Sequence, residues 1–509
     1  MIQKTLLREL GVVLLLTVTY LTLKFPLFSP WLYYYDDGET LYHAFSILSG
    51  RIPYRDDITH HFVGYVLLFV ILGKFFGIST ILIPVVGALN QIASSYLLYR
   101  TLRLLTTPVR SLAGALLLLS AREPWVLSFF PLYQVNLLMV ALWYLTLKSV
   151  VDHRPYLLKL AALIAGFAFI CDQRALILIL IPLTGAYLLR SKLSANDRWN
   201  IFLLYATPPT VSLLLLKLYG ALPSFVEQTI IYPHLYRSGG TAGGIVAHQL
   251  ELHAPLFSQT PLLVVFAALG IVSLVLRRAT LHRPIPRGAV LAACIPAVAI
   301  PLVGGRGFDY YTIPYLPLLS ALAVWSLDLL PKGVRSSGVA LLFVPPLLSL
   351  CSTHSLYRSD QIRNYYGDGA KDLVQFFERE DPLRQASVYI WGYRPDLYIY
   401  LQRLSPNRFV NRQFIHPDAG IADPLARVRY VYPDYEEEFL RLFSTTPPDY
   451  LVVFSRPPSL TSHADDVVSQ RLPILYKKLY SNTFQCLTGE SCTFDIYRIS
   501  PQIPLKKPL

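Results

Sequence analysis

Hydrophobic and polar positions divide the chain unequally. From the N-terminus to about residue 352, apolar runs approaching 20 residues follow one another with short polar breaks. A run of that length crosses a bilayer as a helix. From His354 to Leu509 the texture changes: charges are frequent, apolar runs are short, and Pro and Tyr are scattered. The pattern predicts an all-α polytopic membrane domain over 1–353, with an outer loop over 29–78, followed by a small α/β domain over 354–509. In the tail, Ser387 to Trp391 and Tyr450 to Phe454 read as buried strands, Thr493 to Tyr497 as a further strand, and Asp434 to Phe443 as a Glu-rich helix. No internal repeat or low-complexity segment interrupts either part.

The charges between the apolar runs orient them. Lys4 and Arg8 precede the first run, about 9–28, which no small-residue cleavage site follows, so it reads as a retained first helix with its N-terminus inside. Basic clusters then recur at alternate ends: Arg100, Arg103 and Arg110; Lys148 and Arg154; Arg190, Lys192 and Arg198; Arg277 to Arg287; Lys332 and Arg335. Cytoplasmic loops carry an excess of Lys and Arg, so these breaks lie inside. The remaining breaks lie outside, among them Asp172 to Arg174 and Arg306 to Tyr311. Counted this way the chain makes about eleven spans and delivers its tail outside. Phe62 to Phe76 is too short for a comfortable span and reads as an interfacial or re-entrant helix on the outer face.

Composition agrees with this division and removes one partner class. Of 509 residues, 53% are hydrophobic and 15% charged, where a soluble protein carries about 25% charged residues. The net charge is +13, but from His354 onward there are 19 basic and 18 acidic residues, so +12 belongs to the membrane part, where it sits at span ends. That placement is an orientation signal, and nucleic acid is not an expected partner. An integral inner (plasma) membrane protein with an extracytoplasmic tail is.

The chemistry concentrates after the first run. Between about residues 30 and 61 lie Asp36, Asp37, Glu39, Asp56 and Asp57 with Arg51 and Arg55, then His60 and His61. An arbitrary acidic stretch of this kind is a solvated loop, but ionisable groups grouped beside a membrane mark a functional site. The same outer face receives Arg174, Arg306, Tyr310 and Tyr311. Taken singly, such arginines are interface anchors and such tyrosines belong to an aromatic belt. Taken together, a carboxylate able to act as general base and arginines able to fork onto phosphate oxygens suit an anionic lipid-linked substrate. Adjacent histidines on a strand or helix point apart, which argues against joint metal ligation by His60 and His61.

Several segments carry a resemblance. They are Asp36-Asp37-Gly38-Glu39, Gly50-Arg51-Ile52-Pro53-Tyr54-Arg55-Asp56, His60-His61-Phe62-Val63-Gly64-Tyr65, Arg306 to Pro317, and Trp391-Gly392-Tyr393-Arg394. Together they resemble GT-C class membrane glycosyltransferases, in particular bacterial relatives of the dolichyl-phosphate-mannose protein mannosyltransferases and the lipid A aminoarabinose transferases. The first-loop motif is the specific part of the likeness. Departures are Asp37 for the second acid Glu, His61-Phe62 for Pro-Pro, and Tyr310 for a His. The resemblance implies transfer of a sugar from a polyprenyl-phosphate donor to a glycan, lipid or protein acceptor, with inversion. It places Asp36 as catalytic base and Asp37 as its acidic partner, the two roles exchanging if the register shifts by one. His60 falls at the phosphate contact and Arg306 near it. Glu39, Arg55, Asp56, His61, Arg174, Tyr310 and Tyr311 are further candidates for substrate binding. A divalent metal near the acids is left open.

Two other function classes compete. A lipid-linked glycan transporter or flippase predicts ionisable groups deep inside spans and two related halves, whereas here such groups cluster at span ends. An inactive scaffold with the same fold is separated from an enzyme only by substituting an acid. Cys171, Cys294 and Cys351 lie in or near apolar runs and read as inert packing residues. Cys486 and Cys492, close together in the tail, form a disulfide if that tail is outside the cytoplasm.

Overall fold

The computed structural model describes residues 2–24, 28–32, 34–121, 131–233, 254, 260–276, 279, 281, 287–303, 309–331, 333–357, 369–410, 433–455, 476–485 and 491–499. The chain divides into two compact units, each assembled from separated segments. The first takes Met1–Phe28, Pro84–Leu215 and Gly240–Ser359; the second takes Ser29–Ile83, Leu216–Gly239 and Asp360–Leu509.

The first unit is helical. Among the described residues, four helices are long and apolar enough to cross a membrane: Leu6–Lys24, Leu82–Arg103, Pro131–Asp152 and Ala195–Leu218. The other apolar runs also become helices, but shorter ones, including Pro108–Ser120, Pro155–Cys171, Gln173–Leu188 and Pro261–Val275. Several begin on proline, which costs nothing where the first-turn N–H has no helical partner. Packing relies on close approach. A Cβ on Gly270 would stand 1.9 Å from the Leu322 carbonyl oxygen, so the Pro261–Val275 helix meets the Tyr315–Ala323 helix backbone to backbone. In lipid, where burial of apolar surface drives little, such small-residue contacts hold helices together.

Charges at the helix ends pair within this unit. The fully buried Asp328 carboxylate accepts from Arg110 at 2.9 Å and lies 3.5 Å from Arg335. Lys159 pairs with Asp197 at 2.8 Å. Arg100 donates to the Tyr96 and Tyr144 hydroxyls and lies 3.7 Å from Glu9.

The second unit contains the described sheet, in the order β1-β2-β4-β3. Strand β1 (Val388–Trp391) runs parallel to β2 (Tyr450–Ser455), while β4 (Ser491–Ile499) is antiparallel to both β2 and β3 (Tyr476–Gln485). All four residues of β1 are buried, which is why it reads as an uninterrupted apolar run. Helices Ala370–Glu380 and Pro433–Thr445 bury Phe376, Phe377 and Phe439. Phe439 packs tilted against Tyr389 and Trp391 with ring centroids 5.4 Å apart.

The expected outer loop is more ordered than its composition suggests. Tyr35–Leu48 is an α-helix with Asp36 and Asp37 in its first turn, where negative charge meets the positive end of the helix dipole. The run after His61 forms a short turn, Val63–Val66, and then the ten-residue helix Leu67–Phe76.

Candidate active site

The acidic helix is held against the tail by the absence of a side chain. A Cβ on Gly38 would lie 2.4 Å from the N, Cα and Cβ atoms of Asp396. The Tyr35–Leu48 helix therefore touches the start of the Asp396–Leu401 helix directly, and only glycine permits it. Asp396 is itself fixed by Arg394, which donates from Nε and Nη2 at 2.9 and 2.8 Å with both side chains 1% exposed. The Arg394 guanidinium is sandwiched by Tyr35 and Phe454, 4.5 and 4.9 Å from their ring centres.

This contact brings Tyr393 onto the acids. Its hydroxyl lies 2.6 Å from Asp36 Oδ1 and 3.0 Å from Glu39 Oε2. Asp36 keeps some exposed surface, whereas Asp37 is fully buried and Glu39 is 2% exposed. Burial pushes the Asp36 carboxyl up to about 6; the Tyr393 hydrogen bond opposes this rise and the Glu39 charge adds to it. For Glu39 burial acts in the same direction, but the His43 hydrogen bond and the positive field of His61, His43 and His60 outweigh it and hold the carboxyl at about 2. His43 Nε2 stands 3.4 Å from Glu39 Oε1. Two acids one helical turn apart thus have opposite characters. Glu39 is a fixed anion. Asp36 is the stronger base and keeps part of its surface exposed.

The His60-His61 pair occupies a bend rather than a strand or helix. Its rings consequently lie together, with centroids 3.9 Å apart, contrary to the divergence expected of regular structure. The bend is secured by Tyr54, whose hydroxyl donates to the His61 carbonyl and accepts from the Val63 N–H, both at 3.0 Å. Tyr54 adopts φ +69°, a left-handed conformation unfavourable for a bulky residue. Gln228 clamps it by donating to the Tyr54 carbonyl and accepting from the Thr59 N–H. Asp57 is buried and bound by Arg51, Tyr42 and Ser46, and Arg51 Nη2 donates to the Ser405 carbonyl. Arg51 and Asp57 are structural, therefore, and the same neighbourhood's Arg55 and Asp56 form an exposed ion pair.

The remaining candidates lie in the first unit. Arg174 donates two bonds to Asp172, at 2.9 and 2.6 Å, and its guanidinium sits 4.4 Å from the Tyr311 ring centre. Arg306 and the Tyr310 side chain fall outside the described residues, as does Cys486. Cys492 is buried and disulfide-bonded, and Cys171, Cys294 and Cys351 are free. Among the described residues no three His, Cys, Asp or Glu side chains converge as metal ligands. Tyr393, Gly38 and Gln228 carry roles that their local sequence does not announce. The Trp391-Gly392-Tyr393-Arg394 segment was the one signal for the first of them.

The fold that presents these acids is the GT-C glycosyltransferase fold. It superposes on the crystal structure of ArnT, the lipid A aminoarabinose transferase, from Cupriavidus metallidurans bound to undecaprenyl phosphate. The TM-score is 0.59 at 14% identity, over 98% of this chain and 99% of that one. The apo state of the same protein gives 0.56 at 13% identity over 95% and 98%. An Archaeoglobus fulgidus oligosaccharyltransferase, crystallised with Zn and sulfate, gives 0.52 at 14% identity, over 87% of this chain and 67% of that one. At such identities the likeness is one of fold. No protein-family model and no curated protein matches the sequence.

Proposed function

We propose that this chain is a membrane glycosyltransferase that moves a sugar from a polyprenyl-phosphate donor to an acceptor hydroxyl on the extracytoplasmic face. The carrying observation is the acid pair one helical turn apart, joined through the Tyr393 hydroxyl, with Asp36 part-exposed and Glu39 buried; burial lifts Asp36 while the neighbouring histidines hold Glu39 down. A base that is ionised near neutral pH yet close to it in affinity for a proton suits general base catalysis. In the reaction, Asp36 takes the acceptor hydroxyl proton as the new oxygen–carbon bond forms. The bond from the anomeric carbon to phosphate breaks, and the polyprenyl phosphate leaves with the electron pair. A single displacement of this kind inverts the anomeric configuration. Asp37, fully buried on the same first helical turn, is its acidic partner, and the two roles exchange if the register shifts by one.

His60 and His61 are assigned to the donor phosphate, with Arg174, Arg306, Tyr310, Tyr311, Arg55 and Asp56 as further contacts to donor or acceptor. The GT-C fold, shared with a structure that holds undecaprenyl phosphate, favours a lipid-linked donor. The topology proposed is about eleven spans, N-terminus inside and tail outside. Support comes from pairs within the first unit. Arg110 and Arg335 share Asp328, Glu9 meets Arg100, and Lys159 meets Asp197, all between ends assigned to the inner face. Arg174 meets Tyr311 between ends assigned to the outer face.

The test is Asp36→Asn, assayed by release of polyprenyl phosphate from a panel of polyprenyl-phosphate sugars. We expect a loss of about 10²–10⁴-fold, with normal expression and retained donor binding. The wild-type rate should fall as pH drops through about 6, where Asp36 becomes protonated. An Asp36→Asn protein turning over donor at the wild-type rate would falsify the assignment, and activity in Asp37→Asn as well would remove the enzyme reading itself.

A further inference from the structure

Tyr393 carries one phenolic proton and faces two carboxylate oxygens, Asp36 Oδ1 at 2.6 Å and Glu39 Oε2 at 3.0 Å. A hydroxyl donates to one acceptor at a time. With both acids ionised, the shorter contact takes the proton and Glu39 is answered by His43. Once Asp36 gains a proton it becomes a donor, and its best acceptor is the phenolic oxygen 2.6 Å away. The phenol can then turn its own O–H toward Glu39, so that every oxygen in the chain from Asp36 to Glu39 is satisfied. No bond to Tyr393 breaks; the proton gained by Asp36 stays on Asp36, and only the phenolic O–H direction changes.

We propose that Tyr393 is a positioning residue that acts through Asp36, its hydroxyl holding the charged carboxylate and swinging to Glu39 when Asp36 takes up a proton. The inference rests on Asp36 being the base. Other charged or titratable groups around the pair are His43 on the same helix, His60 and His61 on the bend, Tyr65 on the turn that follows, and the Arg394–Asp396 pair beside Tyr393. The Arg394 and Asp396 charges are already spent on each other. Tyr393 is therefore the donor that the tail supplies to Asp36, and the Glu39 charge opposes it.

The measurement needs no substrate. Infrared difference spectra of the full-length protein in nanodiscs, titrated with pH, report the carbonyl stretch of protonated carboxyl groups. A band that disappears as pH rises through about 6, and is missing in Asp36→Asn, belongs to Asp36. In Tyr393→Phe its midpoint should move upward by about one pH unit, the effect of one lost hydrogen bond to a charged group. In Glu39→Gln it should move downward, because a like charge has gone. Opposite shifts establish that the phenol holds the charged carboxylate against the Glu39 charge; the swing is read from the phenolic C–O band, missing in Tyr393→Phe, which should move as the carboxyl band appears, and a band that stays in place overturns it. A thermal melt close to wild type shows that each variant folds. An unchanged midpoint in folded Tyr393→Phe overturns the inference and leaves the base assignment standing. An Asp36→Asn protein with wild-type turnover removes the base assignment, and with it the positioning role of Tyr393, but not the titration result.

Discussion

Gly38→Ala separates two opposed effects that a single methyl group brings. Gly38 lies in the first turns of the Tyr35–Leu48 helix, and replacing an interior helical glycine by alanine favours the helix by about 1 kcal/mol. If the position had room, the variant would be more stable than wild type. It has none: the new Cβ would stand 2.4 Å from three atoms of Asp396, two of them backbone, against 3.4–4 Å for ordinary contact. The helices must part by about 1 Å to accept it, and overpacking of this kind costs about 1–3 kcal/mol. The retreat also draws Asp36 and Glu39 away from Tyr393, and a displacement of about 1 Å at reacting groups can cost about 10²-fold in rate. We therefore expect a lower melting temperature and a rate loss near that size, with expression retained. Gly87→Ala is the control, since nothing lies within 4 Å of its added Cβ. Melting is followed by fluorescence in detergent and turnover by polyprenyl phosphate release. A Gly38→Ala protein that matches Gly87→Ala in both would refute the close contact and the geometry built on it.

Two further outcomes test the surroundings. Arg394→Met should destabilise the protein by about 3–5 kcal/mol by leaving Asp396 charged and buried alone, while Arg394→Met with Asp396→Leu should melt nearer to wild type; a double variant as unstable as the single one contradicts the pairing as the cause. A C-terminal alkaline phosphatase fusion should be active and a cytoplasmic fluorescent fusion dark. The reverse pair of results removes an odd number of spans from the proposed topology.

Long apolar runs were legible because their length and their flanking charges carry the information locally. Strands β1, β2 and β4 were legible for a related reason: each is largely buried and reads as apolar or alternating. Strand β3 was not, since Lys477, Lys478, Ser481 and Asn482 occupy a sheet edge where burial leaves little pattern. The acidic helix reads as loop in sequence because Gly38 and two aspartates are turn residues in isolation; their helical role depends on the dipole and on Asp396. Charge singles out Asp36 with Asp37 as its partner and Glu39 only as a further candidate; the pairing of Asp36 with Glu39 one turn on needs the helix. Tyr393 could not be assigned to them, because its partnership spans 357 positions and leaves no local trace. The tight His60-His61 pairing likewise follows from a bend that Tyr54 and Gln228 hold.

That long separation has a consequence for biogenesis. Asp36 leaves the ribosome early, and Tyr393 follows 357 residues later. At about 5–20 residues per second, the Tyr35–Leu48 helix waits roughly twenty seconds to a minute for the residue that completes it. A nascent chain, or one cut short before the tail, carries its acids without their phenol and without the Arg394–Asp396 seat. Catalytic competence on the proposed reading is thereby deferred until the segment 391–396 has been made and folded. Quality control of the tail then doubles as control over when donor lipid can first be consumed.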